Sequence, residues 1–187
     1  MNSLRNALSL EGLHTSEKSS WVIQLGWISF FTLATIIGAQ IQIPHEPIPY
    51  TLQTFFVMIG AAFLGARNGA ISQGLYLLLG AIGLPVFALG GFGIERLLGP
   101  TGGYLLSFPI AAFVIGSLVR LRSEYWWILC SFFAGLLIIF SCGTLFLHFV
   151  HLHNFPLAFS QGFLIFSWWD VVKLLGAASI YRVMRRK

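Results

Sequence analysis

The sequence predicts an all-α integral membrane protein of six transmembrane helices with both termini cytoplasmic. Three observations carry that expectation: an apolar composition, six long apolar runs, and a strong bias in where basic residues fall. Hydrophobic residues make up 57% of the 187 positions and charged residues 9%, and mean hydropathy is +0.82. A soluble domain carries about 25% charged residues. A chain this apolar cannot cover itself with polar groups in water, so lipid must be its main solvent.

The runs are residues 21–41, 51–65, 69–87, 101–119, 125–150 and 157–181. They divide the chain into a cytoplasmic N-terminal segment (1–20), a membrane domain (21–181) and a basic cytoplasmic tail (182–187). The N-terminal segment is polar and mixed in charge (Arg5, Glu11, Glu17, Lys18), without the apolar core of a cleavable signal. The first run therefore spans and stays. The second is short against the ~20 residues a spanning helix needs. The third carries Gln73 and Tyr76, and the glycine-rich stretch 88–100 after it is expected to be irregular. The fifth holds both cysteines, Cys130 and Cys142, twelve positions apart. At roughly 18 Å along one helix they are beyond disulfide reach. The sixth holds Asp170 and Lys173. Backbone amides cannot go unpaired in hydrocarbon, so these runs are helices. Their continuous apolarity excludes a β-barrel, whose strands alternate.

Basic residues set the orientation. Nine of the eleven fall in the N-terminal segment, in the second and fourth connections (Arg67, Arg120, Arg122) and at the C-terminus (Arg182, Arg185, Arg186, Lys187). The third connection holds only Arg96, and Lys173 lies inside the last run. The net charge of +5 therefore reads as membrane orientation and not as a nucleic-acid surface. No phosphate-binding G-x-x-x-x-G-K-[ST] occurs, nor H-E-x-x-H, nor G-x-S-x-G. ATP-driven work would need partners.

Exceptions to the polarity pattern are the candidate functional residues. Asp170 and Lys173 share one helix face. Lys173 lies nine positions before Arg182, about 14 Å along the axis and near mid-membrane. An intramembrane ionisable group is by default a functional site, with a structural ion pair as the other reading. Trp168 and Trp169 beside them suit an interfacial belt or a pocket wall. On the outer side stand Glu46, Glu95 and Arg96. Arg96 suits a ligand carboxylate or a pairing with Glu95. Gln40, Gln42, Gln53, Gln73 and Tyr76 suit helix–helix hydrogen bonds, and Gln53 and Tyr76 a shared cavity. His148, His151 and His153 have metal-compatible spacing without a nearby carboxylate or cysteine; an interfacial cluster is preferred and no metal site is assigned.

Four motifs then resemble one family in order. They are Gly38-Ala39-Gln40-Ile41 with Ile43-Pro44 and Pro49-Tyr50-Thr51-Leu52-Gln53-Thr54; Tyr76-Leu77-Leu78-Leu79-Gly80-Ala81-Ile82-Gly83-Leu84-Pro85-Val86-Phe87; Leu98-Gly99-Pro100-Thr101-Gly102-Gly103-Tyr104; and Asp170-x-x-Lys173. Across residues 25–181 the chain resembles the BioY family, the biotin-binding S components of energy-coupling factor (ECF) transporters. The resemblance implies an S-component-like six-helix bundle in the bacterial cytoplasmic membrane, with an outward-facing pocket. It implies a substrate-binding set of Asp170, Lys173, Arg96, Tyr76, Gln53, Gly99, Thr101 and Tyr104. It also implies a membrane coupling subunit and ATPase subunits as partners, no cofactor of its own, no enzymatic activity, and a possible homo-oligomer.

Biotin fits these residue types. A carboxylate accepts from its ureido N–H groups, an ammonium donates to its C=O, and an outer cation holds its tail carboxylate. Small residues Ala34 and Gly38 on the first helix are implied as the docking face for the coupling subunit, with internal packing as the other use of such a pair. A membrane enzyme using Asp170 and Lys173 as acid and base, an S component for another carboxylate-bearing vitamin, and a channel or scaffold are the competing expectations.

Overall fold

The structure is a computed structural model that describes residues 2–45, 48–164 and 168–185, with side chains from Trp21 onward. Glu46, Arg186 and Lys187, and the side chains of Arg5 and Lys18, lie outside that description. Eight α-helices follow in order: α1 (Asn2–Gln40), α2 (Gln53–Leu64), α3 (Ala66–Ala81), α4 (Ile94–Leu98), α5 (Gly102–Leu118), α6 (Tyr125–Phe146), α7 (Phe155–Ala158) and α8 (Trp168–Arg185). A hairpin of β1 (Gln42–Ile43) and β2 (Tyr50–Thr51) joins α1 to α2, pairing Gln42 with Thr51 and Ile43 with Tyr50.

The differences from the sequence expectation have local causes. Helix α1 extends back to Asn2 through the polar segment, where no proline breaks the helix and Gly12 is the one glycine between Asn2 and Trp21. Helix α3 stops at Ala81, before Gly83 (φ +105) and Pro85. The glycine-rich connection contains a 3₁₀ turn (Ala88–Gly90) and the short helix α4. Beyond α6 the helix loosens into π turns (Leu147–Leu152) and ends at His153 in a left-handed conformation (φ 50). The sixth run is not one rod. Asn154 caps α7 by accepting from the Leu157 amide at 3.1 Å. Phe155–Phe163 and Trp168–Arg185 then lie at 48° to each other.

Among the described residues, Trp21–Gln40 and Tyr125–Leu152 are long and apolar enough to cross a membrane, and the bent pair makes a third. Helices α2, α3 and α5 have 12, 16 and 17 residues, short of the usual span. The connections between them are compact. At Gly65 (φ 80) the chain leaves α2 and enters α3 with no further linker. Only glycine takes that φ without strain.

Helix α5 is the axis of the bundle and packs on α6, α3 and α2. Small residues let backbones touch: a Cβ on Gly116 would stand 2.3 Å from the Ala66 nitrogen, and one on Gly135 would stand 2.2 Å from the Ile115 side chain. Helices α1 and α3 are held by polar bonds instead. Thr32 Oγ1 reaches both Ile28 O (2.9 Å) and Ser72 O (3.0 Å), and Gln73 Nε2 donates to Thr35 Oγ1 at 3.1 Å. With no hydrophobic force between helices in lipid, such bonds and close packing hold the bundle.

Ala34 is 8% exposed and Gly38 is buried. A Cβ at Gly38 would meet the Phe56 ring at 2.6 Å and the Leu52 carbonyl at 3.1 Å. Gly38 thus lets the chain's own α2 come close, the internal-packing use of such a position. His148, His151 and His153 form no group of metal-ligating side chains among the described residues; His151 Nε2 instead meets the Leu98 carbonyl at 3.0 Å.

Gly116 gives the packing a test. Gly116→Ala pushes a methyl into backbone that cannot yield, and overpacking of this kind costs about 1–3 kcal/mol. Thermal unfolding of the purified protein should show a clear fall in Tm for Gly116→Ala. Gly74→Ala, where nothing lies within 4 Å, should unfold at or above the wild-type temperature.

Candidate functional site

The sequence places two charges three positions apart on α8, and the fold buries both. Asp170 is 2% exposed and Lys173 5%. Lys173 Nζ lies 2.6 Å from Asp170 Oδ1. It also donates to Thr54 Oγ1 at 2.8 Å and to Thr51 O at 3.1 Å. An ammonium has three N–H donors, and all three are engaged. A buried charge is tolerable only when paired and hydrogen-bonded in this way.

The second partner set comes from β2 and the start of α2. Because α2 is short, its first residues sit deep enough to meet α8. Thr51 Oγ1 donates to Gln53 Oε1 at 2.8 Å, Gln53 Nε2 donates to Tyr76 Oη at 2.5 Å, and Tyr76 Oη donates to Val86 O at 3.3 Å. This chain of bonds ties the hairpin to α3 and to the segment after it.

Asp170, Lys173, Thr51, Thr54 and Gln53 line a cavity whose far reaches include Arg96, Thr101 and Tyr104. It holds about 70 Å³ of solvent-sized space within a cleft of about 630 Å³ that includes its open mouth. Tyr50, Phe87, Phe108 and Phe140 supply aromatic wall, with Leu105 and Ile139 between them. Tyr104 is set by two contacts: Gly143 leaves room for its ring, and its hydroxyl donates to Gly162 O at 3.0 Å. Arg96 Nη2 donates to Ala88 O at 3.4 Å. Among the described residues no ion pair joins Arg96 to Glu95. An apolar chamber with a few converging polar groups is the usual form of a small-molecule site.

Six of the eight expected binding residues therefore border one cavity. The other two do not. Tyr76 is wholly buried, and its hydroxyl is spent on Gln53 and Val86, so it positions Gln53 from behind. Gly99 uses its carbonyl to accept from the Gly102 amide at 2.8 Å and shapes the turn before α5. Gln40 donates to Phe87 O at 3.1 Å and so supports a wall residue. Trp168 is exposed and, like Trp169, does not line the cavity. Thr51 and Thr54 were missed as partners of Lys173. Their signal was present as two hydroxyls flanking Gln53 where an apolar run begins.

A sequence model of the BioY family matches residues 11–187. This chain belongs to the BioY family. It is 46% identical over 157 residues to the biotin transporter BioY of Thermotoga maritima, covering 84% of this chain and 92% of that protein. It is 41% identical over 157 residues to a probable biotin transporter BioY of Pyrococcus horikoshii, covering 84% and 93%. A crystal structure of the S component for biotin from an ECF-type ABC transporter superposes with a TM-score of 0.80 at 29% identity, over 90% of this chain and 94% of that one. The BioY fold is thus the helical S-component fold, and the family is one of membrane transporters.

The ion pair makes a stability prediction independent of any ligand. Lys173→Met or Asp170→Asn alone leaves the remaining charge buried without its partner, at a cost of about 3–5 kcal/mol. The double variant removes both charges and should be distinctly more stable than the sum of the two losses implies. Thermal unfolding of the four proteins in one detergent measures the coupling; strict additivity would mean the pair does not act as a unit.

Proposed function

We propose that this chain captures biotin from outside the cell and delivers it for uptake, as the S component of an ECF transporter. The observation that carries the reading is the buried Asp170–Lys173 pair opening on an aromatic-walled cavity that also reaches Arg96. The ureido ring of biotin offers N–H groups to Asp170, and its carbonyl displaces Thr54 Oγ1 as one of the three acceptors of Lys173. The bicyclic body lies against Phe87, Phe108 and Tyr104. The tail carboxylate reaches Arg96, whose fork matches a carboxylate.

The chain performs no chemistry of its own and carries no cofactor. A separate membrane coupling subunit and ATPase subunits supply the energy. The bundle lies in a bacterial cytoplasmic membrane, crosses it six times, and keeps both termini inside. The gathering of basic residues supports that orientation. Arg185 donates to Val119 O (3.2 Å) and Arg122 O (3.3 Å), Arg120 donates to Leu64 O (3.2 Å), and Arg182 lies over the Tyr125 ring. These contacts put the arginines at one end of the bundle, where a positive-inside bias requires them.

Calorimetry of the detergent-purified chain tests the ligand. Biotin should bind saturably, and Asp170→Asn and Lys173→Met should each weaken binding by at least about thirtyfold, the lower bound for breaking a buried charged contact. Wild type should prefer biotin to its methyl ester by about ten- to hundredfold, the worth of one hydrogen bond to a charged group. Arg96→Gln should abolish that preference. An unchanged preference would move the carboxylate onto backbone amides of residues 99–103.

Orientation is tested separately. In a background lacking Cys130 and Cys142, an impermeant thiol reagent applied to intact cells should label a cysteine at position 95 and not one at position 2. The opposite pattern reverses the topology.

A further inference from the structure

A second cavity, of about 460 Å³, lies far from the ligand chamber, between α1, the α2–α3 turn and the end of α5. Its polar side is Arg67, Arg120, Asn68 and Gln24. Its apolar side is Leu25, Ile28 and Ile71, with Trp21 at the rim. The biotin reading uses none of these residues.

The backbone puts both arginines on the wall of this one cavity. At Gly65 the chain turns with φ +80, and the Arg120 guanidinium fills the space where a side chain would stand. Arg120 Nη2 is fixed there by the Leu64 carbonyl at 3.2 Å. Arg67 follows two residues after Gly65, in the first turn of α3. Among the described residues no carboxylate forms a salt bridge with either arginine. Two like charges lining one cavity repel, and an anion bound between them offsets that repulsion. Guanidinium forks match phosphate oxygens bidentately.

The wall decides which phosphate. A soluble anion has no use for Leu25, Ile28 and Ile71, whereas a phosphodiester carrying acyl chains uses both sides. Leu25 and Ile71 are themselves exposed, at 58% and 47%, so under the proposed membrane placement the groove opens sideways into the acyl region. The Trp21 indole, 65% exposed, suits the interface between headgroup and chain. Basic pockets between transmembrane helices hold anionic headgroups by this combination. We propose that this groove is a site for an anionic phospholipid of the phosphatidylglycerol type. The assignment to the inner leaflet rests on the proposed orientation; the site itself does not.

Native mass spectrometry of the full chain, purified in detergent and incubated with defined lipids, tests the site. Dioleoylphosphatidylglycerol should be retained at collision energies that strip dioleoylphosphatidylcholine. Each surface arginine contributes about fivefold to anionic-lipid affinity. Arg67→Gln should therefore weaken retention about fivefold, and Arg67→Gln with Arg120→Gln about thirtyfold. Arg67→Gln removes no hydrogen bond seen here, so it stays informative if the Arg120 variant folds poorly. Biotin binding should be unchanged in Arg67→Gln, which separates failure of this site from failure of the biotin reading. Equal retention of the two lipids, or retention unaffected by Arg67→Gln, overturns the proposal. So does displacement of the lipid by inorganic phosphate at comparable concentration, which would mark a soluble-anion site. Loss of co-purifying transporter subunits in Arg67→Gln with lipid retention intact would mark a protein interface and overturn it as well.

Discussion

A lysine ammonium buried in a membrane protein must have every N–H engaged, and much of this structure follows from meeting that demand at Lys173. Asp170 supplies the countercharge from the same helix. The other two acceptors, Thr51 O and Thr54 Oγ1, come from β2 and the start of α2. To bring them there, the second helix must begin deep in the bundle and the chain before it must dip inward as a hairpin. The shortness of α2 and the presence of two strands in an otherwise helical protein are thus one arrangement. The hydrogen-bond chain from Thr51 through Gln53 and Tyr76 to Val86 extends the same tie to α3 and the wall of the chamber.

The same geometry explains why a pocket can be both preorganised and polar. Asp170 and Lys173 pair with each other, and Lys173 and Arg96 are further held by acceptors on β2, α2 and the 3₁₀ turn. The aromatic wall is set with similar economy. Gly143 admits the Tyr104 ring, and Gly162 accepts from its hydroxyl, linking α5, α6 and the bent segment before α8.

Composition and run length made the membrane class legible, because lipid demands continuous apolar helices. Charge against that background made Asp170, Lys173 and Arg96 legible. What stayed hidden depended on three-dimensional neighbours. Tyr76 reads as a ligand contact because it is polar within a span, yet its hydroxyl is used up by Gln53 and Val86. Ala34 and Gly38 read as a docking face because a small-residue spacing does not say whether a neighbour, such as Phe56 beside Gly38, belongs to the same chain or to a foreign helix. Thr51 and Thr54 carried no charge to draw attention, although they complete the shell of the most costly group in the protein. The break in the last run had no proline or glycine immediately before Trp168 to announce it, and the helix limits at 119 and 125 came close because Arg120, Arg122 and Glu124 mark them.

The pairing of Asp170 with Lys173 has an electrical consequence. A single charge moved across the membrane potential gains or loses about 2.3 kcal/mol per 100 mV. A carboxylate and an ammonium 2.6 Å apart sum to zero, so the floor of the chamber feels no net force from that field. Under the proposed pose the monoanionic ligand neutralises Arg96 in turn, leaving the filled chamber uncharged. Inward movement of the loaded chamber should then be nearly indifferent to voltage, so the membrane potential alone would not drive it.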